Sequence, residues 1–128
     1  MEKLQGRNLA IQGEICGPGI QGNRMGLKDN QLFVFNIFDL NDRKYLNFND
    51  FTNMVEELGL QSVPVIDTFT FKHTMDGLLQ MATELRYFNG NRAEGMVIRP
   101  VVERHSNVLH GRMSFKVINN DYLIEHKE

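Results

Sequence analysis

A chain of 128 residues has the size of one ordinary domain and is long enough to bury a core without disulfide or metal staples. Its formal net charge of −2 argues against a domain that grips nucleic acid by charge alone, so contact with RNA would need a local basic patch or a basic partner. Cys16 is the single cysteine, which excludes an internal disulfide and a multi-cysteine metal site, and no apolar run approaches the roughly 20 residues that cross a bilayer.

The first seven residues carry neither the apolar segment nor the small-residue cleavage site of a secretory signal, and the expected setting is cytoplasmic, with no membrane partner. Residues 9–16 alternate loosely and then meet Gly17-Pro18-Gly19, which predicts a strand entering a loop that runs to about Gly26. Residues 32–38 are aromatic and β-branched almost throughout, the pattern of a central strand buried on both faces. Asn49 or Asp50 is placed to cap a helix over 51–58, with Phe51, Met54, Val55 and Leu58 on one side and Gly59 as the stop. After Pro64, residues 65–71 read as a third strand. Thr74 then caps a second helix with Met75, Leu78, Leu79, Ala82 and Leu85 in one apolar stripe, ended by Asn89-Gly90. Residues 96–102 and 114–118 read as strands joined by a polar loop, with a last short strand at 122–124. This order predicts one α+β domain, a largely antiparallel sheet with two covering helices.

Several residues stand out for their setting. Glu14 lies in an otherwise apolar strand, where a carboxylate is costly without a donor or ligand, and it reads as a satisfied structural group or a functional one. Glu94 precedes Gly95 at a strand start, and Lys116 is flanked by Phe115, Val117 and Ile118, so an anion near its ammonium would explain its place. Phe33 and Phe35 share a face on strict alternation and offer a ring for base stacking or plain core. The glycine-rich 17–22 stretch lacks the Gly-Lys-Ser/Thr of a phosphate loop and reads as a turn. His73, His105, His110 and His126 lack metal-ligand spacing.

In chain order, Ile11-Gln12-Gly13-Glu14, Phe33-Val34-Phe35-Asn36-Ile37, Glu94-Gly95-Met96-Val97-Ile98-Arg99-Pro100 and Ser114-Phe115-Lys116-Val117-Ile118-Asn119 resemble successive nucleotidyltransferase motifs of the ATP-dependent RNA ligases. The likeness is nearest to the branch that seals RNA nicks, the Deinococcus-type bacterial ligases. It implies a partial nucleotidyltransferase, or ATP-grasp-like ligase, domain covering residues 1–128. By the resemblance, Glu14 would hold the ribose hydroxyls, Phe35 would stack on adenine, Glu94 would serve a catalytic Mg or Mn ion, and Lys116 would contact the α-phosphate. Arg99 matches a basic position of the fourth motif and would meet phosphates or RNA backbone.

Relatives of this kind begin with a Lys-x-Asp/Glu-Gly motif whose lysine attacks ATP, and none of Lys3, Lys28 and Lys72 stands in such a sequence. The same likeness puts Asn36 where many relatives carry an acidic residue and Ser114 where some carry a second lysine. The expectation is therefore part of an RNA ligase that joins RNA ends or nicked duplex through an adenylated intermediate, with ATP or AMP as its nucleotide. Alone it would be inactive in self-adenylation, its lysine motif lying in an N-terminal segment of the same enzyme. The alternative is a non-catalytic nucleotide- or RNA-binding module derived from a ligase.

Overall fold

A computed structural model describes residues 6–119 together with Asp121 and Ile124. Its elements run β1 (Leu9–Cys16), β2 (Gln31–Asp39), β3 (Lys44–Tyr45), α1 (Phe48–Glu57), α2 (Met75–Glu84), β4 (Gly95–Ile98), β5 (His105–Ser106), β6 (Gly111–Arg112) and β7 (Phe115–Ile118). The strands pair as β1-β2-β3, β4-β7 and β5-β6, every ladder antiparallel, which gives the α+β class that the element order predicts. Among the described residues no helix is long and apolar enough to cross a membrane.

One irregularity in the first sheet decides what faces the site. Gln12 pairs with Asn36 but Gly13 pairs with Val34, so Phe35 is an extra residue on β2 and the alternation resets there. Gly13 is needed at this point, because a Cβ on it would fall 2.6 Å from the Phe33 carbonyl oxygen. Phe33, Asn36 and Phe38 thereby share the face of Gln12 and Glu14, instead of Phe33, Phe35 and Ile37 lying together as strict alternation expects. On the other face Val34 and Ile37, 0% and 1% exposed, pack on Met54 and Val55 of α1, with Leu9, Leu46, Phe51 and Leu58 around them. Each such side chain contributes about 1.5–3 kcal/mol on burial, enough to pin the register of β2.

A second cluster joins Leu78 and Ala82 of α2 to Val117 of β7, with Met96 and Ile98 of β4 packed beside them. In the β4-β7 ladder Met96 opposes Val117 while Val97 opposes Lys116. Helix α2 therefore covers the Val117 face and leaves Lys116 on the open one.

Four expectations are corrected. Helix α1 begins one turn earlier than expected and its N-cap is Asn47, not Asn49 or Asp50. The Asn47 side chain makes no cap bond, because its Oδ1 accepts the Glu103 N–H at 2.8 Å. Residues 65–71 form no strand: pairing with β2 ends at Ser62 and Val63, no described strand lies alongside, and Val65, Ile66 and Phe71 are more than half exposed. Thr74 does cap α2, its Oγ1 accepting the Gly77 N–H at 3.1 Å, but Met75 points outward and Asn89-Gly90 sits in a hairpin beyond the helix. Strand β4 stops at Ile98, since Arg99 turns inward and Pro100 has no N–H to continue a ladder. Tyr122 and Leu123, where a last strand was expected, lie outside the described residues, and Ile124 has helical backbone.

Asp39 ends β2 as a buried carboxylate whose Oδ1 accepts the N–H groups of Asn41 and Asp42 and whose Oδ2 pairs with Arg7 at 3.3 Å. The Asp42 N–H foremost, then the Arg7 guanidinium and the Asn41 N–H, hold its pKa below the ordinary carboxylate value against the opposing pull of burial. A depressed folded value adds stability above the unfolded value of about 3.9, and that part is lost as pH falls through the folded one. Urea midpoints followed from about pH 5 to about pH 2 are expected to fall less steeply in Asp39→Asn than in the parent chain.

Candidate nucleotide and metal site

Lys116 and Glu94 meet as the sequence suggests: Lys116 Nζ lies 3.3 Å from Glu94 Oε1, with both side chains about half exposed. An ion pair in that setting is worth only about 0–1 kcal/mol, so it opens readily. Glu14 is exposed on β1, which removes the burial cost expected for it, and among the described residues its side chain makes no hydrogen bond or ion pair.

The hairpin after α2 carries the chain to Glu94. Arg86 bridges Arg92, the Tyr87 N–H donates to Asn91 O, and Glu94 follows at once. The side-chain amides of Asn89 and Asn91 both donate to the Arg24 carbonyl, at 2.9 and 2.8 Å, and so tie the hairpin tip to the loop that leaves β1. Tyr87 is half-buried in this hairpin. Burial pushes the Tyr87 hydroxyl above its ordinary acidity range, and the nearby acidic groups add to the rise. Burial likewise raises the Cys16 thiol, with Glu14 adding to it.

Phe35 enters this arrangement through its backbone. Arg99 Nη1 donates to the Phe35 carbonyl at 2.9 Å and to Asn36 Oδ1 at 2.8 Å, while its Nε reaches Ser114 Oγ at 3.1 Å. Arg112 donates to the same Asn36 oxygen at 2.6 Å, pairs with the Glu103 carboxylate and lies 3.8 Å above the Tyr45 ring, which meets Phe38 edge-on. Burial, and next the Arg112 charge, lower the proton affinity of the Arg99 guanidinium. Arg99 thus uses Nε and Nη1 inside the protein, where they clamp β2 to the β4-β7 hairpin.

The 17–22 stretch is a run of turns, Ile20 N–H to Gly17 O and Asn23 N–H to Ile20 O, as read from the missing phosphate-loop residues. His73 is half-buried beside the rings of Phe69 and Phe71, His105 and His110 are exposed, and His126 lies outside the described residues. Among the described residues no group of three or more His, Cys, Asp or Glu side chains is placed to hold a metal ion. A hard divalent cation here would have Glu94 as its protein carboxylate and phosphate oxygens for the rest, a donor set that suits Mg or Mn bound with a nucleotide. Sequence reasoning missed Asn89 and Asn91. The Asn89-Gly90 pair marked a turn, but nothing in its spacing pointed to Arg24.

The family model for RNA ligase matches residues 1–118. A search of curated proteins found no match. Among solved structures, Naegleria gruberi RNA ligase with PPi is 34% identical over 98% of this chain and 36% of its own, with a TM-score of 0.81. One variant of that ligase, with AMP and Mn, is 36% identical over 98% of this chain and 37% of its own, at TM-score 0.81. Another, with ATP and Mn, is 34% identical over the same shares of the two chains, at TM-score 0.83. This chain therefore spans a little over a third of the length of the ligases that it matches. With the family model covering most of its residues and the likeness extending almost end to end, the chain belongs to the RNA ligase family.

Proposed function

We propose that residues 1–128 form the C-terminal part of the nucleotidyltransferase domain of an ATP-dependent RNA ligase, and that they supply the adenine, ribose and metal side of its nucleotide site. The observation that carries this reading is the Lys116–Glu94 pair at 3.3 Å. A nucleotide phosphate needs an ammonium on one side and a carboxylate-held cation on the other, and a half-exposed Lys–Glu pair supplies one group for each.

In this reading Glu14 accepts hydrogen bonds from the ribose hydroxyls, since an ionised carboxylate is acceptor-only and a diol offers two donors. The Phe35 ring stacks on adenine, and Lys116 neutralises charge at the α-phosphate. When bound, the divalent cation supplies further charge neutralisation at the phosphates. The attacking lysine belongs to a segment outside these motifs, and RNA ends or a nicked duplex are the substrate of the whole ligase. Support comes from family membership and from related ligases solved with ATP or AMP and Mn.

Calorimetric titration with ATP and Mn tests this. The parent chain is expected to bind saturably, and Phe35→Ala and Lys116→Ala each to weaken binding at least about tenfold, the loss of one well-placed contact of roughly 1.4 kcal/mol. A parent chain that binds RNA but not ATP would instead make it the ligase-derived RNA-binding module. The net charge of −2 and the inward-turned Arg99 weigh against that alternative.

A further inference from the structure

Three residues, Phe88-Asn89-Gly90, make the loop of the hairpin that follows α2. The Gly90 N–H donates to Tyr87 O and the Tyr87 N–H to Asn91 O, both at 2.9 Å, and Gly90 takes the left-handed φ of +86° that closes such a loop. The tip is rigid, since the Asn89 and Asn91 amides bind the Arg24 carbonyl at 2.9 and 2.8 Å and Asn89 Oδ1 accepts the Asn91 N–H at 3.1 Å. Phe88, at the first loop position, is 99% exposed. A single exposed apolar side chain is ordinary on a protein surface, and what sets Phe88 apart is its company.

Arg86 and Arg92 oppose each other across the stem as a bridged antiparallel pair. Like charges directly opposed on two strands are destabilising, so the pair works against the turn that it flanks. Asp121 meets Arg92 at 2.9 Å and offsets part of that repulsion. Arg86 is exposed and donates only through Nη1, to the Thr83 and Leu85 carbonyls, so among the described residues its Nε and Nη2 have no partner. Residues 85–92 hold these two charges and no acidic residue, in a chain whose net charge is −2. This is the local basic patch that contact with RNA requires of such a chain.

We propose that the hairpin tip is a contact for the RNA strand: the Phe88 ring stacks on an unpaired base, and Arg86 and Arg92 meet the phosphate beside it. Every base has a π-face, so the ring takes an unpaired base whatever its identity, while guanidinium N–H groups match phosphate oxygens. A protein partner would be met by a wider apolar surface, whereas Phe88 is bordered in the hairpin by Asn89, Gly90 and the two arginines. The inference rests on the ligase reading above and adds where its RNA is held. Arg92 stands two residues before Glu94, at most about 7 Å along the backbone, which sets the patch beside the proposed metal carboxylate.

The test follows the fluorescence anisotropy of a short labelled oligouridylate, which offers unpaired bases and no adenine for the nucleotide site, against the parent chain, Phe88→Ala, Phe88→Trp and Arg86→Gln. Phe88→Ala should weaken RNA at least about fivefold, the loss of one stacked base, and leave the ATP titration at the parent value. Arg86→Gln should weaken RNA and lower the salt slope by about 0.7, one phosphate contact fewer. The chain has no tryptophan, so Phe88→Trp supplies a sole indole whose emission RNA should quench by stacking. Unchanged RNA affinity in Phe88→Ala, indole emission unmoved by RNA, or a parent chain that binds no RNA overturns the contact. Emission already blue-shifted before RNA is added overturns it too, by showing the ring covered by protein, as does a Phe88→Ala chain that loses ATP and RNA in step. RNA bound through Phe88 by a chain that does not bind ATP leaves this contact standing and removes the nucleotide site instead.

Discussion

Arg99→Ala is expected to lower the unfolding free energy by about 2–3 kcal/mol, near the value of one or two hydrogen bonds to a charged group. Three acceptors lose a donor: the Phe35 carbonyl, Asn36 Oδ1 and Ser114 Oγ. The full sum of three such bonds is not reached, for two reasons. Asn36 Oδ1 keeps its bond from Arg112, and removal of one guanidinium relieves both its burial and its repulsion with the other. The Phe35 carbonyl, on the extra residue of the bulge, is the group left with the largest penalty. Arg99→Lys should recover only a minor part, since one ammonium lacks the planar fork that serves three acceptors. Chemical denaturation of the three proteins measures this, and a loss below about 0.5 kcal/mol in Arg99→Ala, the size of a neutral surface substitution, would sink the clamp.

Gly95→Ala should be at least as damaging. A Cβ there would lie 2.2 Å from the Val117 carbonyl oxygen and 3.0 Å from Ile118 Cα, both backbone atoms of the partner strand that have no rotamer to yield. The ladder must separate at the Gly95–Ile118 pair, at a cost of about 3 kcal/mol, the upper end for over-packing. Val117 is then drawn from the α2 cluster and Lys116 moves relative to Glu94, so nucleotide binding should fall with stability. Gly111→Ala is the control: nothing lies within 4 Å of its Cβ position, and its cost should stay within about 0.5 kcal/mol. Equal urea midpoints for the two variants would mean that β4 and β7 tolerate a wider spacing than described here.

Where a local pattern and its tertiary use agree, the sequence was enough. Leu9–Cys16, the Thr74 cap and the Phe115–Ile118 strand needed only alternation, a hydroxyl at a helix start and an apolar run. Lys116 stood out because a lysine among apolar neighbours asks for an anion, and in the structure its ammonium meets Glu94. The bulge at Phe35 was not, since the steric reason for it is Gly13 on the facing strand, and a glycine reports no register by itself. Residues 65–71 have every local mark of a strand and lack only a neighbour to pair with, which no propensity scale records. Asn36 was noted as a neutral residue in an acidic position, but its place between two guanidiniums depends on residues 63 and 76 positions away.

The bonds that assemble the cleft reach far along the chain: Arg24 to Asn89 and Asn91 spans 65 and 67 residues, and Asn36 to Arg99 and Arg112 spans 63 and 76. The core of β1, β2 and α1 is built from much nearer neighbours. Loop closure must be met before distant contacts reward it, so the order of assembly follows: the β1-β2-α1 unit gathers early, and the cleft is completed only when β4 and β7 arrive. The same order reversed makes the cleft the first region to open under mild denaturant, ahead of the Val34–Ile37 core. A nucleotide held at Glu14 and Lys116, as proposed, would bridge the early and late halves of the chain, and the protection it gives in hydrogen exchange should be greatest where those halves meet.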